Sequence, residues 1–127
     1  MTKNIKATNI EITPAIGEYI EKRFAVFERF APGGNSDAMH AEIEVGKTTR
    51  HHKSGEYFKA EVNLKMAGKS FYAVSEKDDL YAAIDEVKDE IVHQVTSEKD
   101  KTKTLARRGA SKIKNILKGL DFRNWKK

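Results

Sequence analysis

The sequence predicts an α+β domain whose elements follow in the order β-α-β-β-β-α. Apolar residues recur at helical spacing in residues 14–31 and 78–98, and they alternate with polar residues between residues 39 and 74. Each helix therefore has a single apolar face. The expected packing is a two-layer sandwich, with a four-stranded sheet and two helices on one face.

Strand signals are alternating apolar and polar residues. In the first strand Ile5 and Ala7 are expected to face inward. The polar, basic stretch 46–55 is expected to form a hairpin loop, and a tight connection at Gly68 makes the last three strands an antiparallel meander. The first strand is expected to pair in parallel with its neighbour through a helical crossover. The strands are expected at residues 2–8, 39–45, 58–66 and 70–74.

The first helix has a clear start and a clear end. Thr13 is placed to cap it, and Pro14 fits the first helical position, where a missing N–H costs nothing. The turn sequence that starts at Pro32 ends the helix by Ala31. Its apolar stripe comprises Ile16, Ile20, Phe24, Phe27 and Phe30.

The second helix is expected from about Asp78 to about Glu98. Ser75 and the acids after it supply the hydroxyl and the negative charge that a helix start favours. Residues 103–127 form at most a weak amphipathic segment interrupted by Gly109, and they are expected to be flexible. The stripe comprises Leu80, Ala83, Ile84, Val87, Ile91 and Val95. With its last four elements so arranged, the predicted fold is like that of a double-stranded-RNA-binding domain.

Charge divides the chain into two predicted parts. Residues 1–100 contain 14 Lys+Arg and 18 Asp+Glu, whereas residues 101–127 contain 10 Lys+Arg and a single acid. The expected organisation is an α/β domain over residues 1–100 and a basic tail over residues 101–127. Basic tails commonly bind nucleic acid, because each cation near a phosphate releases a condensed counterion; a solubilising tail is the alternative.

Several function classes are disfavoured. The chain has no cysteine, its apolar runs are too short for a membrane span, and its first residues do not resemble a signal peptide, so a cytoplasmic protein is expected. No motif for phosphate binding or nucleophilic catalysis is present, and the histidines lack companions for a metal site. Neither an enzyme nor a metal, cofactor or small-molecule substrate is predicted. Glu42 and Glu44, which share a strand face, are expected to pair with Lys59 or Lys65.

The outer face of the second helix carries Asp85, Glu86, Asp89 and Glu90, a surface that phosphate would avoid. A nucleic acid would instead contact the first helix, the loop around Arg50, His51, His52 and Lys53, or the start of the tail. The candidate contacts that we select are Lys22, Arg23, Arg29, Lys99, Lys101, Lys103, Arg107 and Arg108.

Several stretches together resemble the ribosome hibernation-promoting factor family, also called ribosome-associated inhibitors. They are Thr8–Ile16, Glu18–Arg23 with Phe27–Phe30, Glu61–Leu64 with Gly68, and Asp79–Asp85, in family order over roughly residues 3–100. The resemblance implies a protein that binds the small ribosomal subunit and its 16S-type rRNA in the channel for messenger and transfer RNA. There it would inhibit translation in idle ribosomes.

Some positions depart from the family pattern. Val26 and Glu90 stand where the family usually has lysine, and His93 stands where it usually has arginine. The second helix is therefore less basic, which shifts the expected contacts toward the first helix and the tail. The stretch Arg107–Lys114 resembles the basic linker that precedes the dimerisation domain of long members; a natural short form and part of a longer factor both fit.

Two other functions are compatible with the residues alone. A stand-alone module for duplex RNA would recognise shape through phosphates and 2′-hydroxyls. A partner of the transcription machinery would bind neither ribosomes nor isolated duplexes. Co-sedimentation with ribosomes distinguishes these alternatives.

Overall fold

A computed structural model describes the backbone of residues 1–49 and 56–116 and the side chains of residues 1–48 and 57–101. Strands and helices follow in the predicted order, with three short 3-10 helices between the first helix and the second strand. The elements are β1 (Thr2–Thr8), α1 (Pro14–Phe24), β2 (His40–Thr49), β3 (Glu56–Met66), β4 (Lys69–Lys77) and α2 (Leu80–Ile116).

The four strands form one sheet in the order β1-β2-β3-β4. β1 pairs with β2 in parallel, and the other two pairings are antiparallel, as predicted. Ala67 and Gly68 form the turn between β3 and β4, and both have positive φ, the geometry that a two-residue hairpin requires. β2 continues to Thr49, so the loop predicted over residues 46–55 is too long; residues 50–55, with Arg50, His51, His52 and Lys53, lie outside the described residues.

The core lies between one face of the sheet and the apolar stripes of the helices. Inward residues of β2, β3 and β4 and the stripes of α1 and α2 form a single buried cluster, which confirms the predicted two-layer sandwich. In β1, Ile5 packs against this cluster, but Ala7 is exposed. Ala7 stands beside the buried Val45 and so lies on the predicted face of the sheet, but it stays exposed because β1 is an edge strand with a sheet neighbour on one side only.

The end of α1 tightens into a 3-10 helix over Ala25–Phe30. Thr13 caps the start as predicted, since its hydroxyl accepts a hydrogen bond from the Ile16 N–H at 3.2 Å. A 3-10 helix has three residues per turn, so residues spaced by three line up on one side. Phe24 and Phe27, both fully buried, stack accordingly with ring centroids 5.2 Å apart.

The predicted boundary between β4 and α2 is wrong. β4 extends to Lys77, three residues beyond the predicted end, because β3 offers partners as far as Phe58. Ser75 therefore belongs to the strand and is buried rather than capping the helix. The helix begins at Leu80, and the carboxylate of Asp79 accepts a hydrogen bond from the Tyr81 N–H at 3.3 Å.

The predicted end of α2 near Glu98 is also wrong, because the helix continues to Ile116. Adding a residue to an existing helix needs no new nucleus, and the extension is rich in Lys, Ala and Arg, which favour helix. Gly109 costs about 1 kcal/mol within a helix, which is too little to end it. The chain divides into two compact units, Met1–Val95 and Thr96–Lys127. The division of function between residues 1–100 and 101–127 stays a prediction.

Gly46 is required by the close approach of β1. A Cβ atom at this position would lie 2.8 Å from the carbonyl oxygen of Thr8, directly across the pair of strands. We expect Gly46→Ala to lower the free energy of unfolding by about 1–3 kcal/mol, because backbone must shift to admit the methyl group. Thermal and urea unfolding measure this change.

Gly17→Ala is the matched control. Its new Cβ atom would lie 3.7 Å from the Ile12 side chain, an ordinary contact, and alanine is the better helix former. We expect this variant to be as stable as the parent or more stable. Equal effects of the two substitutions would contradict the steric role of Gly46.

Candidate nucleic-acid interface

Three of the candidate cations lie in one short segment at the end of α1. Lys22 and Arg23 are in its last turn, and Arg29 is in the last turn of the 3-10 helix that follows. Cations at a helix C-terminus are favoured by the partial negative charge of the last carbonyl groups. All three side chains are exposed, so this segment presents positive charge to solvent.

Arg23 is held by a cluster that links α1 to α2. Its Nε atom lies 3.2 Å from Oδ1 of Asp85, and its guanidinium lies 4.9 Å from the centre of the Tyr19 ring. The Tyr19 hydroxyl donates to the Asp85 carboxylate, with 2.8 Å to each oxygen, and Tyr81 packs edge-on against Tyr19 with centroids 4.7 Å apart. The guanidinium is therefore fixed in place, while 46% of the side chain stays exposed.

This cluster also keeps Tyr19 a hydrogen-bond donor. Burial of the phenol, and next its hydrogen bond to Asp85, raise the pKa of Tyr19 above its usual value. The hydroxyl accordingly stays protonated at neutral pH and continues to donate to the carboxylate. Tyr19 and Asp85 were not among the sequence-predicted site residues. The available signal was the spacing of Tyr19 and Arg23, which are four residues apart on one helix face.

Lys22 and Arg29 are less constrained than Arg23. Lys22 lies 3.4 Å from Glu18 one turn earlier, and both side chains are largely exposed, so this ion pair is weak. Arg29 has no ion-pair partner among the described residues. Both cations can therefore turn toward a phosphate group at little cost.

The other five candidates lie on α2. Lys99 and Lys101 are exposed, and the backbone of the helix carries the remaining three beyond them. From residue 99 to residue 108 the rise is about 14 Å. The five positions thus follow one another along the helical backbone of α2, and we call them the α2 array.

The acids of α2 are engaged by neighbouring side chains. Glu86 accepts from Ser75 at 2.9 Å and pairs with Lys77 at 2.8 Å, and these two contacts, that with Lys77 first, lower the pKa of Glu86. Asp89 pairs with Lys88 at 2.6 Å. Of the positions that depart from the family pattern, Val26 packs against the core, while Glu90 and His93 are exposed. The acidic outer face of this part of α2 is as predicted.

The predicted partners of Glu42 and Glu44 are wrong. Glu42 lies 2.5 Å from Nε2 of His40 and accepts from Asn4 at 3.0 Å, and Glu44 accepts from Thr8 at 3.1 Å. Asn4 stands directly across from Glu42 on β1, nearer than the lysines of β3. The contact with His40, more than that with Asn4, lowers the pKa of Glu42.

The described residues contain neither a cluster of metal ligands nor a membrane-spanning helix. Within residues 1–48 and 57–101, no group of three or more His, Asp or Glu side chains is arranged to hold a metal ion. No helix of the described part of the chain is long and apolar enough to cross a membrane.

A four-stranded sheet covered on one face by two helices, with exposed cations at the end of α1 and at Lys99 and Lys101 of α2, defines a two-layer α/β domain. Residues 4–103 match the family described as sigma 54 modulation protein / S30EA ribosomal protein. The chain belongs to this family, which includes the ribosome hibernation-promoting factors.

Relatives and solved structures support the same family. The chain is 34% identical over 103 residues to the ribosome hibernation promoting factors of Klebsiella oxytoca and Escherichia coli, covering 81% of this chain and 98% of each relative. It is 26% identical to the ribosome hibernation promotion factor of Bacillus subtilis, covering 94% of this chain and 60% of that protein. The N-terminal domain of Thermus thermophilus Protein Y superposes with a TM-score of 0.61 at 27% identity, covering 75% of this chain and 96% of that one.

Proposed function

We propose that this chain is a ribosome hibernation factor. It binds the small ribosomal subunit in the channel for messenger and transfer RNA and inhibits translation in idle ribosomes. The observation that carries the proposal is the family match over residues 4–103, together with relatives matched over 98% of their length. Binding alone accounts for inhibition, because a protein that fills the channel excludes messenger and transfer RNA. The proposed factor therefore needs no catalysis, metal or cofactor. Its proposed location is the cytoplasm.

The proposed rRNA contacts form two groups. Lys22, Arg23 and Arg29 supply the first, and the fixed guanidinium of Arg23 is suited to the planar, two-point recognition of phosphate. The second is the cationic array of α2, namely Lys99, Lys101, Lys103, Arg107 and Arg108. Contacts of this kind give affinity and position without reading base sequence.

The direct test is co-sedimentation with purified 30S and 50S subunits and 70S ribosomes at physiological salt, alongside cell-free translation. We expect association with 30S and 70S particles, and inhibition at about one copy per ribosome. Excess duplex RNA should compete poorly. Equal binding to isolated duplexes would identify a general duplex-RNA module, and full translation in the presence of excess factor would refute the proposed inhibition.

The α2 array predicts a salt dependence that can be measured separately. We expect the triple variant Lys103→Gln, Arg107→Gln and Arg108→Gln to bind more weakly and with a flatter slope of log affinity against log salt. The slope should fall by about 0.7 for each phosphate contact that is lost. Glutamine is a good helix former, so α2 should persist in circular dichroism.

The matched control removes the same charge from the sheet side of the domain. Lys6→Gln, Lys65→Gln and Lys69→Gln alter exposed residues of β1, β3 and β4 that are not proposed contacts. We expect the ribosome affinity and the salt slope of this variant to stay near those of the parent. Equal losses in both triple variants would mean that net charge, not the array, governs binding.

A further inference from the structure

The side chain of Gln94 covers the outer edge of β4 at Tyr72. β4 is the last strand of the sheet, with β3 on one side only. Gln94 of α2 bonds to both backbone groups of Tyr72: its Oε1 accepts from the Tyr72 N–H at 3.2 Å, and its Nε2 donates to the Tyr72 carbonyl at 2.7 Å. The amide thus makes the two hydrogen bonds that a residue of a further strand would make.

Gln94 is itself held in this position. Its Nε2 also donates to Oε1 of Glu90, one turn earlier on the helix, at 3.1 Å. Both hydrogens of the amide are thereby used, and its oxygen is used as well. The amide group of Gln94 therefore lies against β4 with all of its hydrogen-bonding groups paired.

The backbone N–H and C=O groups of Tyr72 point away from β3, toward the outer edge of the sheet. Because Tyr72 bonds away from β3, alternation along the strand directs the backbone groups of Ser70 and Val74 to the same outer side. An edge of this kind is a template for pairing with another chain unless it is covered. Gln94 covers it near the middle of Lys69–Lys77.

Two large side chains are exposed at this edge, Tyr72 and Val74, and the Tyr72 hydroxyl donates to the Glu61 carboxylate on β3. Tyr72 is 50% exposed and Val74 is 47% exposed, both on the sheet face that the helices leave open. Among the described residues, the other exposed large apolar side chain is Tyr81, which packs against Tyr19. Exposed apolar surface beside an open strand edge marks a site of association.

We propose that the outer edge of β4 is a self-pairing surface for a second copy of this chain, held closed by Gln94. Two β4 strands related by a two-fold axis at Ala73 pair antiparallel. This register places Tyr72 of each copy across from Val74 of the other, in hydrogen-bonded positions that use the outward backbone groups of both. An aromatic side chain opposite a β-branched one is a favourable cross-strand pair.

The sequence of the strand favours a second copy over an unrelated peptide. The central residues are self-complementary in this register, because Tyr72 of each copy meets Val74 of the other. These favourable contacts lie at the centre of the strand, where Gln94 bonds to Tyr72.

The test is the mass of the purified chain and its variants by light scattering at increasing concentration. We expect the parent to remain at 14.4 kDa and Gln94→Ala to shift to twice that mass. Glu90→Ala, which leaves both bonds to Tyr72, is the matched control and should stay monomeric. Adding Val74→Lys to Gln94→Ala should restore the monomer, because a lysine at a strand edge opposes pairing.

The register has its own test, because the chain has no natural cysteine. Gln94→Ala chains carrying Tyr72→Cys are mixed with Gln94→Ala chains carrying Val74→Cys and oxidised. Hydrogen-bonded pairs have Cα atoms about 5.5 Å apart, within reach of a disulfide, so the mixture should crosslink far more than either variant alone.

A folded, monomeric Gln94→Ala variant would overturn the proposal, and so would a parent chain that already pairs through β4. Crosslinking without preference for the mixed pair would overturn the register. None of these outcomes depends on ribosome binding.

Discussion

Reversing the charges of Arg23 and Arg29 together is expected to lower ribosome affinity by about 100-fold or more. Each arginine that contacts phosphate contributes a charge-assisted hydrogen bond of about 1.5–3 kcal/mol, and glutamate replaces this attraction with repulsion. Two such losses exceed the 2.8 kcal/mol or so that corresponds to 100-fold in affinity. Quantitative co-sedimentation of Arg23→Glu/Arg29→Glu measures the effect.

The controls for this variant follow from the Arg23 cluster. Asp85→Asn removes the ion-pair partner of Arg23 but keeps the cation, so it reports what the contact between the helices contributes by itself. We expect it to retain most of the ribosome affinity. Arg23→Lys/Arg29→Lys keeps both charges and should lose less than the double reversal. If the double reversal still pellets with ribosomes, or if Asp85→Asn is equally defective, the proposed contacts at the end of α1 are wrong.

Truncating the centre of the core is expected to have the largest effect on stability. Ile84 is fully buried among the side chains of α2 and the sheet. Ile84→Ala removes three carbon atoms and leaves a cavity, so we expect it to lower the free energy of unfolding by about 2–5 kcal/mol. For a domain of this size, the melting temperature should fall by about 10 °C or more.

Val74→Ala is the matched control for this prediction. Val74 is 47% exposed on the open face of the sheet, so its truncation should change the free energy of unfolding by less than about 1 kcal/mol. Below its melting temperature the Ile84→Ala variant should still bind ribosomes, because Ile84 is not among the proposed contacts. A stability near that of the parent would mean that the core does not depend on Ile84.

The cluster around Arg23 connects the fold to the proposed function. Tyr19 and Arg23 come from α1, and Asp85 comes from the stretch Asp79–Asp85 that carries the family resemblance. The carboxylate orders both side chains and offsets part of the Arg23 charge, whereas Arg29 keeps its charge without a described partner. The two arginines therefore differ in kind: the first is fixed in position, and the second is free to adjust to its contact.

The sequence by itself determined the order of the elements and the face that each one buries. In Ala41, Ile43 and Val45, or in Ile84, Val87 and Ile91, the spacing of apolar residues predicts the inward face, because only one periodicity keeps all of them out of water. Local residues also determined the start of α1, because the hydroxyl of Thr13 and the ring of Pro14 act within the first turn of the helix. The match to the family also follows from residues in order along the chain.

Tertiary structure alone decided where β4 ends, how far α2 runs and which partners the polar side chains take. Ser75 suits a helix cap, yet it lies in the strand because β3 supplies a neighbour at Ala60. Residues beyond Glu98 are weak as an isolated helix, yet they continue one that the core has already nucleated. Tyr19 meets Asp85 across 66 residues, and Gln94 meets Tyr72 across 22. Such contacts depend on distances in space, which local spacing does not encode, because they form only after the sheet and both helices have packed together.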